Sequence, residues 1–344
     1  MGQQTLGTPQ VTVLMAVYNG ARYLPEAIDS VLAQTLRDFE LIIVDDASDD
    51  HTPTILAAYA SRDERVRVVR NDSNIGAYPS ANRGLGLARA PLVARLDADD
   101  TSEPGRLAAQ VAFLERHPSC LLVGSGYRSI DAAGRLRFVR HNPLGFELAA
   151  FVARLRMPMV HPSFCFRRTM ADGSPVLYDT ERPIAGDYAL AARLSRHGPI
   201  ASLSEPLVRY RMHAANISST RRDRQNHFAH AVATAAVGQH YPPGIAADLI
   251  EWLAVSYGLS PPTPQRLHNS LRGFDAAIDH DFGTRAPLAV RERAAGMMTE
   301  AYFSQELSLA LLAALVRHGA RHVFPLALRS ARVKGWLGPL KGPA

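Results

Sequence analysis

The sequence has few cysteines and lacks a long apolar run. Only two of its 344 residues are cysteines, Cys120 and Cys165, and they stand far apart among apolar neighbours. Zinc–thiolate sites and disulfide frameworks need paired cysteines, so neither is expected here. The nearest candidate for a membrane span, residues 307–316, ends at Arg317 and falls short of the roughly 18 apolar residues that a spanning helix needs. The pattern predicts a globular protein that does not span a membrane.

Two glycine motifs that bind phosphate are also missing. The turn after the first predicted strand reads YNGARY (residues 18–23), without the G-x-G-x-x-G pattern of a dinucleotide site. No G-x-x-x-x-G-K-[ST] loop occurs anywhere in the chain. A dinucleotide-type Rossmann site and a P-loop NTPase are therefore not expected. Without a glycine cradle, the charge of a bound diphosphate has to be met by a metal ion and basic side chains.

The N-terminus and the charge pattern bear on location and partners. The segment MGQQTL has no apolar core of a signal peptide, and Leu6 stands where a myristoylation motif has Ser or Thr. We therefore expect a cytoplasmic location. The formal net charge of +6 would attract phosphates or anionic lipid headgroups. Because the basic residues are scattered and not interleaved with aromatic ones, no nucleic-acid partner is expected.

Short β-rich runs alternate with amphipathic stretches over the first hundred residues. The predicted strands are 11–17, 40–44, 66–69 and 91–96, and the predicted helices are 25–32, 52–59 and 80–88. Asn74, Gly76 and Pro79 indicate a loop before the last of these helices. Such βαβ alternation predicts an α/β fold with a mostly parallel central sheet and flanking helices. Ligands of open α/β sheets bind at the carboxyl ends of the strands.

Acidic residues follow two of these predicted strands. Asp45 and Asp46 end the second strand, and Asp97, Asp99 and Asp100 follow the fourth. In extended backbone, Asp97 and Asp99 point to the same face and can serve one oxygen-seeking ion such as Mg²⁺ or Mn²⁺. Asp is also common in turns after strands, where it caps backbone amides, so either cluster alone leaves a structural role open. Two clusters in successive β/α units favour a nucleotide with its metal.

Together with later motifs, these segments resemble the nucleotide-sugar domain of family 2 glycosyltransferases, which have the GT-A fold. The motifs in chain order are VLMAVYN (13–19), VDDASDD (44–50), NIG (74–76), LDADD (96–100), PGRL (104–107), HPSF (161–164), DYAL (187–190) and EPLVRYR (205–211) followed by His213. The resemblance covers roughly residues 10–220. It implies inverting transfer of a sugar from a nucleotide donor, preferably a UDP-sugar, to a saccharide or lipid-linked acceptor.

The resemblance also implies roles on the donor side. Asp99 matches the direct ligand of a Mn²⁺ or Mg²⁺ ion, and Asp97 matches the acid that contacts the ribose or the waters of the metal. Asp46 would accept a hydrogen bond from the base, which for uracil comes from N3–H. Ala16 and Tyr18, at the end of the first strand, would border the same pocket.

Five further residues match positions with implied contacts. Asn74 and Gly76 would contact the nucleotide. His213 matches a position that supplies a metal or diphosphate contact in some members, although a lone His is more often a surface or packing residue. Arg211 would meet the diphosphate charge or pair with a local acid, and His161 would shape the acceptor side of the site.

Asp187 matches the general base of the family. A positioned carboxylate can take the proton that the acceptor hydroxyl loses as it attacks the anomeric carbon. The alternative is that Asp187 caps the helix predicted over residues 188–194, and the two roles are compatible. Many family members have an acid where this chain has Gly186, so a supporting role of that acid cannot be transferred.

Strand signals vanish beyond about residue 220. The predicted domains are an N-terminal tail (1–9), a catalytic domain (10–220) with a nucleotide-binding half (10–100) and an acceptor-binding half (101–220), and a helical region (221–344). Within the helical region, SPPTP (260–264) indicates a linker or helix break, and helices are predicted near 288–303 and 306–318. The basic and apolar segment 329–337 could touch an anionic membrane or form a solvated tail.

Two other functions compete with sugar transfer. The segment DADDT (97–101) approximates the D-x-D-G-T loop of haloacid dehalogenase-type phosphatases, but Asp100 replaces the required glycine. A non-catalytic module that binds sugar nucleotides or polysaccharides would share the binding motifs and show no turnover. The ordered set of motifs favours the transferase over both.

Overall fold

The computed structural model describes residues 7–142, 144–214, 222–283 and 286–303. Within this part, the chain divides into two compact units. Residues up to 153 together with 157–222 form the first unit, and residues 154–156 together with the chain from 223 form the second. The functional division of residues 10–220 into donor and acceptor halves stays a prediction.

Nine strands in the first unit form one mixed sheet. They are β1 (Val11–Val17), β2 (Phe39–Asp45), β3 (Val66–Arg70), β4 (Leu92–Arg95), β5 (Thr101–Ser102), β6 (Leu122–Asp131), β7 (Leu136–Arg140), β8 (Cys165–Arg167) and β9 (Ile200–Met212). The order is β3-β2-β1-β4-β8-β6-β9-β5, and β7 pairs with β6. The first four strands are parallel, as the βαβ pattern predicts. The others pair antiparallel, except that β6 and β9 are parallel.

Six α-helices and a 3₁₀ turn (His161–Ser163) accompany the sheet. The helices are α1 (Leu24–Leu32), α2 (Thr52–Arg62), α3 (Ala77–Leu87), α4 (Arg106–Arg116), α5 (Phe146–Leu155) and α6 (Gly186–His197). Helix α3 begins three residues earlier than predicted, so Pro79 lies in its first turn and not in a loop. Proline is tolerated there because the first amide groups of a helix have no partner within the helix.

The core lies on both faces of the sheet because β1 and β2 are apolar on both faces. Val13 and Met15 pack on one side with Ile28 of α1, whereas Leu14 packs on the other side with Leu85 of α3. Each such side chain contributes roughly 1.5 to 3 kcal/mol when fully buried. The two cysteines are buried and unpaired, as expected. This double-sided burial fixes the strand ends from which the site is built.

The second unit contains four described helices. They are α7 (Arg222–His240), α8 (Pro243–Ser256), α9 (Pro264–Phe282) and α10 (Leu288–Phe303). The predicted linker lies between α8 and α9, and α10 coincides with a predicted helix. Helix α9 was not predicted. The predicted helix 306–318 and the basic segment 329–337 lie outside the described residues. None of the described helices is both long and apolar enough to cross a membrane.

Candidate active site

The loops that follow β1 and β2 are tied together at one edge of the sheet. The amide of Asn19 donates to Ser48 Oγ (2.9 Å), and the amide of Asp49 donates to Asn19 Oδ1 (3.0 Å). Asn19 and Ala47 have positive φ values of 51° and 61°, which are uncommon for residues with a side chain. The bonds between the loops hold these turns in place. The two strand ends therefore form one ordered platform.

Asp46 is buried at this platform and accepts three hydrogen bonds. Its Oδ1 accepts from Asn71 Nδ2 (2.7 Å) and the Ile75 amide (2.9 Å), and its Oδ2 accepts from the Gly76 amide (2.8 Å). Gly76 has φ of +94°, where a side chain would be strained. A carboxylate offers about four acceptor positions, so about one remains for a ligand. In the structure Asp46 fixes the loop before α3, and the contact with the base that the resemblance implies stays a prediction.

The other residues assigned to the nucleotide lie around the same strand ends. Asn74 is exposed, Ala16 is partly buried at the end of β1, and the Tyr18 side chain is 51% exposed beside it. Together with Gly76, they border the end of the sheet where Asp46 is held. Their contacts with a nucleotide stay predictions.

The chain reverses at the end of β4, where three aspartates follow Arg95. Asp97 Oδ1 accepts a hydrogen bond of 3.0 Å from Arg95, and its Oδ2 lies 3.7 Å from His161 Nδ1. Asp99 Oδ2 lies 2.9 Å from His213 Nε2. Asp100 is fully buried: its Oδ1 accepts from the Arg211 amide, and its Oδ2 has no hydrogen-bond partner among the described residues.

These neighbouring carboxylates change one another's pKa values. Burial opposes ionisation of Asp97, but His161 and Arg95 hold the pKa of Asp97 below its usual range. Burial and the Asp97 charge raise the pKa of Asp99, with partial compensation by His213. Burial and the two other carboxylates raise the pKa of Asp100 well above its usual value. A cation bound at this turn would favour the ionised forms of Asp99 and Asp100.

Three buried arginines lie beneath this acidic cluster. Arg106 donates to the carbonyl oxygens of Arg95 (2.6 Å) and Phe164 (3.2 Å), and Arg95 donates to the carbonyl of Leu14. Arg211 donates through Nε to the carbonyl of Asp99 (2.8 Å). All three side chains are almost completely buried. They fix the backbone that presents the aspartates and supply positive charge next to it.

Arg211 has a second group of contacts at the surface end of its side chain. Its Nη2 donates to Glu26 Oε2 (2.5 Å), and its guanidinium carbon lies 4.6 Å from the centre of the Tyr23 ring. The same ring lies 5.2 Å from the His213 ring. Arg211 thus joins β9 to the acidic turn and to α1. A contact between Arg211 and a diphosphate stays a prediction.

An aromatic layer separates Asp97 from Asp187. His161 Nε2 lies 2.9 Å from the Tyr178 hydroxyl oxygen, and the Tyr178 ring stacks on Tyr78 at 5.3 Å between centres. The Tyr78 hydroxyl donates to Asp187 Oδ1 (3.2 Å). Burial and the Asp187 charge raise the pKa of Tyr78, so its hydroxyl keeps the proton it donates. Two carboxylates that are 90 residues apart in the chain thus lie at the two ends of one chain of contacts.

Asp187 is the second residue of α6, and the helix is capped by Ala185 with φ of 71°. The Asp187 side chain accepts from the Tyr188 amide (2.8 Å) as well as from Tyr78. It therefore contributes to the first turn of the helix without occupying the capping position. Both described hydrogen bonds go to Oδ1, which leaves Oδ2 for another partner.

The Tyr78 ring also accounts for the glycine before Asp187. A Cβ atom at Gly186 would stand 2.7 Å from Cε2 and 2.8 Å from Cδ2 of Tyr78. Those distances are shorter than real Cβ contacts. A residue with a side chain at position 186 would therefore collide with the Tyr78 ring in its observed position. The departure from the family pattern at this position is a packing requirement of this chain.

Sequence reasoning did not find Tyr78, Tyr178 or Glu26. No local pattern identifies Tyr178 or Glu26, because each acquires its partner only when distant segments meet in the fold. Tyr78 had one local signal, since it lies two residues after the NIG motif. The buried Arg106 lies in the PGRL motif, and its partner Gln110 lies three residues after that motif. Gln110 donates to the carbonyl of Ser163 (2.7 Å).

Comparison with known proteins identifies the family. Residues 12–173 match the family described as "Glycosyl transferase family 2". The match places this segment in glycosyltransferase family 2. An uncharacterized glycosyltransferase of Haemophilus influenzae is 28% identical over 236 residues, which are 64% of this chain and 71% of that protein. The succinoglycan biosynthesis protein ExoO of Rhizobium meliloti is 29% identical over 331 residues, 92% of this chain and 89% of that protein.

Solved structures show the same fold. S. aureus TarS 1-349 in complex with UDP superimposes with a TM-score of 0.56 at 16% identity, covering 95% of this chain and 92% of TarS. The complex of TarS with UDP-GlcNAc gives a TM-score of 0.59 at 14% identity, with the same coverage. The GT-A fold with a helical C-terminal region, expected from the sequence, is confirmed. The family assignment also favours a transferase over the phosphatase alternative.

Proposed function

We propose that this glycosyltransferase moves a sugar from a UDP-sugar to a hydroxyl group of a saccharide or lipid-linked acceptor, with inversion at the anomeric carbon. The observation that carries the proposal is the Asp99–His213 pair after β4, in the same turn as Asp100, whose Oδ2 has no hydrogen-bond partner in the described part of the chain. The UDP and UDP-GlcNAc complexes of TarS support the donor class. The name of ExoO supports a polysaccharide product.

The residues of the acidic turn fit a divalent cation. Asp99 Oδ2 and His213 Nε2 offer an oxygen and a nitrogen donor 2.9 Å apart, and the carboxyl groups of Asp97 and Asp100 belong to the same turn. Asp99 and His213 would hold Mn²⁺ or Mg²⁺. When bound, the ion stabilises the negative charge that grows on the diphosphate leaving group. Asp97, held by Arg95 and near His161, would orient the ribose or the waters of the ion.

Asp187 is the proposed general base. Its Oδ2 takes the proton of the acceptor hydroxyl while that oxygen bonds to the anomeric carbon. The bond between the anomeric carbon and the diphosphate oxygen breaks in the same step, and the electron pair leaves with the nucleoside diphosphate. A single displacement of this kind inverts the anomeric configuration. Tyr78 holds Oδ1 and thereby sets the direction of Oδ2.

The remaining site residues bind and position the substrates in this proposal. Asp46 accepts from the base through its remaining acceptor position, next to Ala16 and Tyr18. Asn74 and Gly76 form the loop beside it. His161 and Arg211 lie on the acceptor and diphosphate sides of the acidic turn, respectively.

Calorimetry of UDP binding tests the donor and metal assignments. We expect Mn²⁺ to strengthen UDP binding by the unmodified chain and to have no effect on Asp99→Ala. The matched control is Asp38→Asn, because Asp38 is exposed and lies away from the site. Metal-independent UDP binding by the unmodified chain would contradict the role of Asp99. Release of UDP in the presence of acceptor saccharides distinguishes a transferase from a module that only binds.

The cellular location is proposed from the sequence alone. We place the protein in the cytoplasm, with peripheral contact to anionic lipid through residues 329–337. Flotation with anionic liposomes at low and high salt tests this contact, and the absence of salt-sensitive flotation would contradict it.

A further inference from the structure

A second cluster of metal-ligating side chains lies in the helical unit. His240 is the last residue of α7, and His280 and Asp281 lie in the last turn of α9. Asp281 Oδ1 is 2.9 Å from His240 Nε2 and 3.0 Å from His280 Nδ1. All three ligand atoms lie within 4.8 Å of one another. Ligands about 2 Å from a tetrahedral ion lie roughly 3.3 Å apart, close to the two separations between Asp281 Oδ1 and the imidazole nitrogens.

Asp281 is fixed by partners on its other oxygen. Its Oδ2 accepts from the Tyr241 hydroxyl (2.9 Å) and pairs with the Arg154 guanidinium. The Asp281 side chain is only 7% exposed, whereas each imidazole is 36% exposed. Burial raises the pKa of Asp281, but Arg154, the two histidines and Tyr241 together lower it below its usual range. The carboxylate is therefore ionised, with Oδ1 aimed at both imidazoles.

The backbone also favours a cation at this place. The free carbonyl groups at the C-terminus of a helix carry partial negative charge. Both α7 and α9 end at the cluster, since His240 closes α7 and α9 ends one residue after Asp281. The Tyr241 ring packs edge-on against both imidazole rings, with centres 4.7 and 5.4 Å away, and so orients them.

We propose that His240 Nε2, His280 Nδ1 and Asp281 Oδ1 form a binding site for a divalent ion of the Zn²⁺ class. Two imidazoles and one carboxylate are a ligand set that Zn²⁺ accepts, and the exposed side leaves a position for water. Tyr241 and Arg154 act as the outer partners that orient the carboxylate. The ion would join the ends of α7 and α9. This site is independent of the proposed donor site, because it uses none of its residues.

The competing description is a hydrogen-bonded cluster without metal. Each imidazole would then donate its own N–H to Asp281 Oδ1, and Zn²⁺ would find no preferred site. The two descriptions differ in what happens when one imidazole is removed. Replacement of a histidine by glutamine weakens a hydrogen bond but removes a metal ligand.

Calorimetric titration of the full chain with Zn²⁺ tests the proposal. The titration uses protein without a polyhistidine tag. Excess Mg²⁺ is added to occupy sites that prefer oxygen ligands. We expect one Zn²⁺ event that is lost in both His240→Gln and His280→Gln and weakened roughly 10- to 100-fold in Tyr241→Phe. His197→Gln, at an exposed histidine of the first unit, is the matched control and should bind as the unmodified chain does.

Two further measurements separate this site from the donor site and from misfolding. The Zn²⁺ event should persist in Asp99→Ala, and UDP binding should be unchanged in His280→Gln. Circular dichroism should show the same helical content in all variants, and added Co²⁺ should give the visible absorption of a nitrogen- and oxygen-ligated ion only where both histidines are present. If the unmodified chain has no Zn²⁺ event, or the glutamine variants keep it, the residues form a hydrogen-bonded cluster only and the proposal is wrong.

Discussion

The Tyr78 hydroxyl donates a 3.2 Å hydrogen bond to Asp187 Oδ1 and so joins the start of α3 to the start of α6. One of these helices follows the donor-side loop, and the other carries the proposed base. The same tyrosine ring stacks on Tyr178, which contacts His161 near Asp97. A single residue thus connects the side chain proposed to take the proton with those proposed to bind the donor.

Tyr78→Phe should lower the catalytic rate without affecting donor binding. The hydroxyl holds one oxygen of Asp187, and a hydrogen bond to a charged group contributes roughly 1.5 to 3 kcal/mol. We expect kcat to fall by roughly 10- to 100-fold and KM for the donor to stay constant. The control is Tyr59→Phe, which removes a similar Tyr–Asp bond, to Asp29, away from the site. Equal losses in the two variants, or a change confined to KM, would contradict the positioning role.

Gly186→Ala should destabilise the protein because its Cβ would collide with the Tyr78 ring. Overpacking of this kind costs roughly 1 to 3 kcal/mol, and we expect that loss in the free energy of unfolding, with lower transfer activity. Gly238→Ala is the matched control, since nothing lies within 4 Å of a Cβ at that helical position. Adding Tyr78→Leu to Gly186→Ala should recover much of the stability. A Gly186→Ala chain as stable as the unmodified one would show that the ring can move aside.

Asp187→Asn should slow sugar transfer and spare donor binding. The substitution keeps the shape and the hydrogen bond from Tyr78 but removes the proton acceptor. General-base catalysis is worth roughly 10² to 10⁴ in rate, so we expect kcat to fall by that factor while the UDP dissociation constant stays nearly constant. NMR of the product from the unmodified enzyme should show a β linkage from an α-linked donor. Near-normal turnover of the variant, or retained configuration, would remove Asp187 as the base.

Glu40→Gln should reduce stability in a pH-dependent way. The buried Glu40 carboxylate accepts from Thr12 and from the amide and side chain of Arg89. Burial works against it, but these bonds lower the pKa of Glu40 below its ordinary value of 4.5. A lowered acid pKa gives stability that is present above the ordinary value and is lost as the pH falls through the folded value.

We therefore expect Glu40→Gln to lower the free energy of unfolding by roughly 1 to 3 kcal/mol at pH 7, because hydrogen bonds to a charged group are lost. The difference from the unmodified chain should shrink below pH 4.5. Denaturant titrations at several pH values measure it, with the exposed Glu115→Gln as control. A difference that is constant with pH would show that the charge of Glu40 does not stabilise the fold.

The sequence predicted the first half of the fold well because hydrophobic periodicity decides it. The predicted bounds of strand β1 agree with the observed ones, because a short apolar run between turn residues favours a buried strand. Helix α3 begins earlier than predicted because Pro79 indicates a loop in the sequence, although a first helical turn accepts proline. Helix α9 was missed because Pro261, Pro262 and Pro264 indicate a break, and no helix is predicted between this break and residue 288.

The candidate site was predictable only where its residues form local motifs. Asp97 and Asp99 are adjacent to a buried strand, so their alignment with the strand end is visible in the sequence. The contact between Tyr78 and Asp187 spans 109 residues and depends on how α3 and α6 pack, which no local pattern encodes. Gly186 is a second example. The sequence shows that this position lacks the acidic residue of many family members, but it does not show that the Tyr78 ring occupies the space of a side chain there.

The buried arginines beneath the acidic turn bear on how the protein folds. Arg95, Arg106 and Arg211 are covalently part of the chain, and they bring positive charge to the turn as β4, α4 and β9 assemble. A zinc finger, by contrast, cannot fold until its ion arrives. This glycosyltransferase should therefore regain its native structure from denaturant in the presence of a chelator, and its proposed donor site would be ready before substrate or ion is encountered.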